Sequence, residues 1–254
     1  MINRSALGTL CASSLVGLAT LALGEGSAPH WGYGGATGPT HWAALEHEFA
    51  ACRSGREQSP IDIRTSRAQK ASLPAIEFAY RPSPLKIVDN GHTIQVNYAP
   101  GSFIDVDGHR YELVQFHFHR PSEESIDGKR HAMVAHLVHR DAEGRLAVVA
   151  VLLTPGAINP MVAALWSNLP AHKGTEVDAR GVQIDASELL PADRGYYTFA
   201  GSLTTPPCSE GVKWFVLKSP STVSNAEIDR FAHMYPMNAR PLQPANDRPI
   251  AASQ

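Results

Sequence analysis

Short runs of β-branched, apolar and aromatic residues alternate with turn signals along most of the chain. Such runs predict β-strands, because these residues fit a pleated, half-buried surface. The predicted strands lie at 76–80, 85–88, 93–98, 110–119, 132–139, 146–153, 196–199 and 212–217. Residues 141–144 separate two of them and include Gly144, which indicates an antiparallel hairpin over 132–153.

Helical signals are few and short, and they fall at 41–49, 160–168 and 225–233. Asn159 is placed as the N-cap of the second helix, with Pro160 at its first helical position. Ser224 and Glu227 have the spacing of a capping box at the start of the third. The pattern predicts a mainly β (α+β) fold with a large central, mostly antiparallel twisted sheet and short surface helices.

Composition narrows the class of protein. The 254 residues are 43% hydrophobic and 18% charged, and 22 Lys+Arg against 24 Asp+Glu give a net charge of −2. A near-neutral chain without a basic stripe argues against nucleic-acid binding, which depends on neutralising phosphates. Neither disorder nor a fibre fits this composition. No repeat or Gly/Ser-rich linker divides the chain, so 29–254 is predicted to form a single domain.

The first 28 residues differ from the rest. Arg4 is followed by an uncharged stretch over 5–24 and by small residues at 24–28. This arrangement predicts a cleaved export signal over 1–28, and an uncleaved membrane anchor is the alternative. With cleavage, the mature protein is expected to be periplasmic or secreted and to have no stable membrane association.

Export changes the interpretation of the three cysteines. Cys11 leaves with the signal, and Cys52 and Cys208 remain as a pair far apart in the sequence. An oxidising compartment permits one disulfide that closes a very long loop, which is the simplest account. A catalytic thiol at Cys208 is the alternative, although no neighbouring residue supplies a base.

The candidate chemistry is concentrated in two of the predicted strands. Side chains alternate faces along a strand, so His117 and His119 share one face, and Val134, His136 and Val138 share another. If the two strands are neighbours, three histidines converge. Three neutral imidazoles with a fourth position left to water suit a catalytic zinc ion. The alternative is a chance His-x-His pair that binds nothing.

Further segments extend the pattern from near Trp31 to near Arg248. In chain order they are HWGY at 30–33, GP at 38–39 with Trp42, QSPIDI at 58–63, NGH at 90–92, the His-x-His strand, HLVH at 136–139, GSLTTPPC at 201–208, and the residues Asn238, Arg240, Pro241, Gln243, Pro244 and Asn246. In content and order these segments resemble the α-class carbonic anhydrases. The resemblance implies a zinc cofactor on His117, His119 and His136, and a disulfide between Cys52 and Cys208.

The resemblance also implies the reaction. Zinc-bound hydroxide would attack carbon dioxide and give bicarbonate and a proton, reversibly; carbonic anhydrases are the standard example of zinc lowering the pKa of water from about 15.7 to about 7. Thr204 would accept the hydroxide's hydrogen and donate its own to Glu123. His92 would carry the proton to buffer, since an ordinary histidine pKa near 6.5 suits that relay.

The remaining implied site residues line the pocket. Val138, Val148, Leu203 and Trp214 would form the apolar wall for carbon dioxide; Thr205 would serve the anion side; Tyr33, Gln95 and Gln115 would line the solvent network. The expected partners are carbon dioxide and bicarbonate, with inhibition by sulfonamides and anions. A monomer or weak homodimer is expected, without nucleic acid.

The chain departs from the family pattern near the third histidine. Family members usually place a glutamate two residues before that ligand, where Val134 stands here. Losing such an acceptor typically costs 10- to 100-fold in metal affinity or activity, which predicts weaker zinc retention or slower turnover, and Val134→Glu is expected to tighten zinc. Glu124 replaces a usual histidine beside Glu123; it either disturbs the bonds around Glu123 or partly replaces the lost acceptor. Arg120 also differs, with no functional inference.

Two other functions remain open. A non-catalytic zinc or anion-binding module on the same scaffold would keep the histidines and lose turnover, although Thr204 and Glu123 argue against it. A zinc esterase could use the same hydroxide. A serine hydrolase is disfavoured because the sequence has no Gly-x-Ser-x-Gly elbow.

Overall fold

The computed structural model describes residues 31–254, so the predicted export signal at 1–28 lies outside the described residues. The strands are β1 Asp62–Ile63, β2 Gln69–Ala71, β3 Ile76–Ala79, β4 Ser83–Asp89, β5 Ile94–Asn97, β6 Phe103–Val106, β7 His109–His119, β8 Ser125–Ile126, β9 Met133–Arg140, β10 Leu146–Pro155, β11 Glu176–Ile184, β12 Tyr196–Ser202, β13 Glu210–Leu217, β14 Ser221–Val223 and β15 Ala251–Ser253. The helices are α1 Trp42–Leu45, α2 Ala51–Ser54, α3 Pro160–Ser167 and α4 Asn225–Met234, with short 3₁₀ turns at Gly35–Thr37, His47–Phe49 and Ala186–Leu189.

Thirteen of these strands form one large sheet, with the order β11-β4-β5-β7-β9-β10-β13-β12-β15-β2 along its main path. Most neighbouring pairs are antiparallel, including the predicted hairpin of β9 and β10. The pairs β10 with β13, β10 with β14, and β15 with β2 are parallel. The predicted mainly β fold with a large, mostly antiparallel sheet is therefore confirmed.

The two faces of the sheet bury different residues, as alternation along β9 shows. Met133, Ala135 and Leu137 pack into the larger apolar core, which also receives α3 and α4. Val134 and Val138 face a second apolar cluster that includes Ile61, Ile63, Val148, Leu203 and Trp214. His136 shares the parity of Val134 and Val138, so the fold directs it toward this second face.

All eight predicted strands are present, with ends shifted by a few residues. The predicted helix at 41–49 is wrong, because Glu46 adopts an extended conformation (φ −139°, ψ 148°) and separates α1 from a 3₁₀ turn. The other two helices are confirmed with their caps. Asn159 accepts from the N–H groups of Met161 and Val162, and Ser224 and Glu227 form the capping box.

Within residues 31–254, none of the helices has the length and apolar character needed to cross a membrane.

Candidate active site

Register brings the three histidines together in two adjacent rows of one sheet face. His117 on β7 is the direct partner of His136 on β9, and Gln95 on β5 is the partner of His117 on the other side. His119 lies two residues along β7 from His117, opposite Val134. One nitrogen from each of the three imidazoles lies within 4.8 Å of the others. The predicted convergence is thus present.

Each imidazole uses its other nitrogen for a hydrogen bond to the protein. The partner of His117 Nδ1 is Gln115 Oε1, at 2.8 Å. His119 Nδ1 donates to the backbone carbonyl of Asn238, also at 2.8 Å. These bonds leave Nε2 of both residues for a metal. Acceptors of this kind fix the tautomer and the orientation of a ligating ring.

His136 has the opposite arrangement. Its Nε2 lies 3.0 Å and 3.2 Å from the two carboxylate oxygens of Glu124. Nδ1 of His136 is therefore the atom available to a metal. Val134 is fully buried and apolar, so position 134 offers no acceptor, as expected. The carboxylate that contacts His136 comes instead from Glu124, in the loop after β7, which is one of the two roles that the sequence left open for Glu124.

The donor set fits a divalent zinc ion. His119 Nε2 is buried and makes no hydrogen bond within residues 31–254, which is costly unless another group binds it. Three imidazoles on rigid strands are the donors of a catalytic zinc site with an open fourth position. Glu123 and Glu124 are both fully buried beside these rings, and their negative charges would balance a dication.

The protonation of the three rings differs with their surroundings. His117 keeps some exposed surface, yet desolvation of its ring, and then the charge of His136, lower its pKa to about 3. Burial holds the pKa of His119 well below its usual value. Burial alone would lower the pKa of His136, but the Glu124 carboxylate and then Glu123 more than offset it, so that pKa is raised. The His117 and His119 rings are therefore neutral at pH 7, the form in which an imidazole can bind a metal ion.

Glu123 is the carboxylate closest to the free ring nitrogens. Its Oε2 lies 3.5 Å from His119 Nε2 and 3.8 Å from His136 Nδ1. Its Oε1 accepts the backbone N–H of Arg240 at 2.7 Å. Burial raises the pKa of Glu123 to about 7, and the Thr204 hydroxyl is among the neighbours that oppose this rise, although Oε2 has no hydrogen bond of ordinary geometry within residues 31–254.

The loop that carries Thr204 is fastened at both ends. Leu203 N–H donates to the Ser209 carbonyl at 3.0 Å, and Ser59 and Ser202 exchange hydrogen bonds at 2.8 and 3.2 Å. Cys208 forms the predicted disulfide with Cys52, across 156 positions of sequence and with a Cα–Cα distance of 5.0 Å. The disulfide excludes the alternative of a catalytic thiol at Cys208.

An apolar row lies beside the histidines. Val138, Val148 and Trp214 are successive partners across β9, β10 and β13, and Leu203 packs against the same cluster. The Trp214 indole N–H donates to the Ser202 carbonyl at 3.0 Å, and its ring lies 5.0 Å from that of His136. All four predicted wall residues therefore lie together on the histidine face.

The family model for eukaryotic-type carbonic anhydrases matches residues 37–254. The chain belongs to the α-class carbonic anhydrase family. It is 42% identical over 251 residues to a carbonic anhydrase from Nostoc sp., covering 98% of this chain and 93% of that protein.

Two solved structures show the same fold. A hyperthermostable carbonic anhydrase from an active hydrothermal vent chimney is 45% identical with a TM-score of 0.85, and covers 89% of this chain and 100% of that one. The α-carbonic anhydrase from Thermovibrio ammonificans, in complex with the inhibitor sulfanilamide, is 41% identical with a TM-score of 0.84, covering 89% and 99%.

His92, the predicted proton carrier, lies in the turn between β4 and β5. The His92 ring stacks on Trp31, with ring centroids 3.5 Å apart and an interplanar angle of 6°. Tyr33 packs against Trp31 and Trp42 nearby, and burial raises its pKa well above the usual value. Gln95 donates to Asn97 Oδ1 at 2.7 Å, in the row of His117. Thr205 is half-buried, and its carbonyl accepts from Cys208 N–H at 2.8 Å.

Sequence reasoning missed the roles of three residues of this carbonic anhydrase site. Gln115 was assigned to the solvent network, whereas its side chain bonds His117 directly. Asn238 and Arg240 were noted only as part of the family's ending, yet their backbone atoms bond His119 and Glu123. A backbone acceptor has no signature in side-chain type, so only Gln115 could have been found, from its alternation with His117.

Proposed function

We propose that this protein catalyses the reversible hydration of carbon dioxide to bicarbonate and a proton, with one zinc ion held by His117, His119 and His136. The observation that carries the proposal is that all three imidazoles have one nitrogen engaged by a protein acceptor and the other directed to a common point. A bound zinc ion would supply Lewis-acid activation of water near neutral pH, a property that carbonic anhydrases themselves exemplify.

Glu123 and Thr204 are proposed to orient the nucleophile. Glu123 is buried, lies within 4 Å of two free imidazole nitrogens, and is fixed by Arg240 N–H. A carboxylate held in this way accepts the Thr204 hydroxyl hydrogen, so Thr204 presents its oxygen as an acceptor to a water or hydroxide. Holding a reacting group in one orientation removes part of the entropic barrier.

The apolar row of Val138, Val148, Leu203 and Trp214 is proposed to receive carbon dioxide. The substrate is nonpolar, so a wall without hydrogen-bond donors or acceptors can hold it without leaving a polar group unpaired. The wall shares its sheet face with the histidines, which puts a nonpolar substrate beside the nucleophile. Thr205, next in sequence to Thr204, is proposed to face the anionic product.

His92 is proposed to move the product proton. It lies in a turn with partly exposed surface, and a histidine is the side chain whose ordinary pKa allows proton exchange near neutrality. Its stacking on Trp31 gives the ring a defined resting position. Gln95 and Tyr33 are proposed to line the solvent path beside it.

The direct test is stopped-flow carbon dioxide hydration by the mature, zinc-loaded protein, with and without a sulfonamide. Rapid hydration that the sulfonamide abolishes is the expected result. Zinc bound stoichiometrically without hydration would instead support a non-catalytic binding module. Faster turnover of an activated ester than of carbon dioxide would support a zinc esterase.

We also propose that the chain is exported, to the periplasm or out of the cell. The mature protein is proposed to be a monomer or a weak homodimer. The Cys52–Cys208 disulfide supports an oxidising compartment, because structural disulfides are rare in a reducing cytosol. Cell fractionation and intact-mass measurement test this. A mature form that begins near residue 29 outside the cytoplasm is expected, and a full-length cytoplasmic form would contradict it.

A further inference from the structure

We propose that Glu124 is the positioning residue that fixes the His136 imidazole for zinc, in place of an acceptor on strand β9. The inference deepens the zinc function proposed above and rests on it. It is carried by the contact of both Glu124 carboxylate oxygens with His136 Nε2, at 3.0 and 3.2 Å. The structure thus decides between the two roles that the sequence left open for Glu124.

Burial makes this contact significant. Glu124 has no exposed surface, and within residues 31–254 its carboxylate has no hydrogen-bond donor besides His136. A buried carboxylate is strongly unfavourable unless it is paired and hydrogen-bonded. The pairing with His136 is therefore the interaction that accounts for an acid at this position.

The backbone around Glu124 holds the carboxylate in place. The Glu124 carbonyl accepts the Ser122 hydroxyl at 2.8 Å, and the next two residues, Ser125 and Ile126, pair with Asp62 and Ile63 of β1. A residue fixed on both sides loses little further freedom when it orients a ligand. The loop after β7 thus supplies the acceptor that the third ligand's own strand lacks.

The position on β9 two residues before His136 is apolar. Val134 lies on the same face as His136, is fully buried, and packs with Ile61, Ile63 and Leu152. A glutamate there would compete with Glu124 for one Nε2–H and would bury a third carboxylate beside Glu123 and Glu124. Val134→Glu is therefore expected to leave zinc affinity unchanged or to weaken it, which reverses the expectation from sequence alone.

The chemical effect of Glu124 is on the metal-binding nitrogen. A carboxylate on Nε2–H fixes the tautomer that leaves Nδ1 free, and it raises the basicity of Nδ1. Loss of such a partner typically costs about 10- to 100-fold in metal affinity. Glu124→Met, which keeps the side-chain length and removes the acceptor, is expected to weaken zinc binding by that factor.

Chelator competition for zinc is the closing experiment, because it measures affinity without turnover. Glu124→Gln keeps an oxygen that can accept Nε2–H, so its loss is expected to be clearly smaller than that of Glu124→Met. In Glu124→Met/Val134→Glu the acceptor returns from the strand, and most of the affinity is expected to return with it. Glu227→Met is the matched control, since Glu227 is a buried glutamate of the α4 capping box, and it is expected to lower stability without changing zinc affinity.

A second readout separates orientation from general stability. In the ¹⁵N-histidine-labelled, zinc-loaded protein, the His136 ring is expected to show a protonated Nε2 that is retained in Glu124→Gln. Glu124→Met is expected to shift or lose this signal while the His117 and His119 signals stay. A purely structural role for Glu124 would disturb all three rings or none.

Two results would overturn the inference: unchanged zinc affinity in Glu124→Met, or tenfold tighter zinc in Val134→Glu. If Glu124→Met does not fold, Val134→Glu and Glu124→Gln decide the question. Tight zinc binding by the wild-type protein without hydration would overturn the proposed function, and the affinities would still decide the role of Glu124. A wild-type protein that binds no zinc would overturn both.

Discussion

Strand β9 carries two buried histidines three residues apart, His136 and His139, and they face opposite sides of the sheet. His136 meets two other imidazoles and two carboxylates. His139 lies on the side of the larger apolar core, where its Nε2 bonds the Tyr80 hydroxyl at 2.7 Å. The two residues lie on the same strand and are both buried, so any difference in their chemistry comes from the side chains that pack against each ring.

The pKa of each ring reflects this difference. Burial lowers the pKa of His139 to about 3. Burial acts in the same direction on His136, but Glu124 and Glu123 raise its pKa above the usual value. A buried histidine is therefore a neutral structural residue by default, and nearby carboxylates are what make it a candidate for holding a cation.

The largest expected effect concerns the disulfide between Cys52 and Cys208, which closes the segment that includes the loop of Thr204. Cys52→Ser/Cys208→Ser opens a loop spanning 156 positions, and loop-closure entropy predicts a loss of up to about 5 kcal/mol in unfolding free energy. Urea denaturation of oxidised wild type and variant measures it. An unchanged midpoint would mean that the hydrogen bonds of Ser59 and Ser202 hold the Thr204 loop without the disulfide.

Replacing each β9 histidine by alanine contrasts the two faces directly. His136→Ala removes a proposed zinc ligand. It is expected to weaken zinc binding by more than the ~100-fold that follows from losing a residue that only hydrogen-bonds a ligand. His139→Ala leaves the Tyr80 hydroxyl without its partner and is expected to cost about 1–3 kcal/mol of stability. Its zinc affinity should stay within a few-fold of wild type. Zinc loss in both variants would show that the two faces are not independent.

A smaller effect is expected at Thr204. Thr204→Ala removes the hydroxyl proposed to orient the nucleophile and is expected to lower kcat/KM for carbon dioxide by about 100-fold, while zinc affinity is retained. Thr198→Ala is the matched control, because Thr198 is a buried threonine on β12 outside the site. Equal losses in the two variants would argue against an orienting role for Thr204.

The smallest expected effect is the pH dependence from His139. An unfolded chain binds a proton at this residue near pH 6.5, but the folded protein binds it only near pH 3. Between these values the unfolded state holds more protons, so stability falls as pH falls. The glutamine of His139→Gln cannot titrate. Between pH 7 and pH 5 the free energy of unfolding of this variant is therefore expected to fall by about 2 kcal/mol less than that of wild type. Chemical denaturation at the two pH values measures this, and parallel losses would exclude His139 as a source.

Alternation in β7 and β9 was enough to predict the three-histidine face, because strand parity is fixed by the backbone. The register between the two strands could not be predicted from the sequence. Only the structure shows that His117 and His136 are direct cross-strand partners. Glu124 lies in a loop, where parity has no meaning, so its contact with His136 depends on the local chain path.

The missed elements of the fold have equally local causes. Strand β11 was missed because five of its nine residues are exposed, four of them polar, and because its register with β4 shifts between Asp178 and Gln183. The predicted helix at 41–49 failed because its sequence carries no mark of the extended residue Glu46. Caps and apolar alternation were predictable because both follow from neighbouring residues.

The segment around Asn238 and Arg240 has a consequence for biosynthesis. The Asn238 backbone carbonyl accepts a hydrogen bond from His119 Nδ1, and the Asn238 side-chain amide donates to the carbonyls of Phe118 and His92. The backbone N–H of Arg240 donates to the Glu123 carboxylate. A chain that ends before Asn238 therefore lacks two of the hydrogen bonds that position His119 and Glu123. If zinc binds as proposed, products truncated before Asn238 are therefore expected to bind it poorly, so an intact carboxyl-terminal segment becomes a requirement for a working metal site.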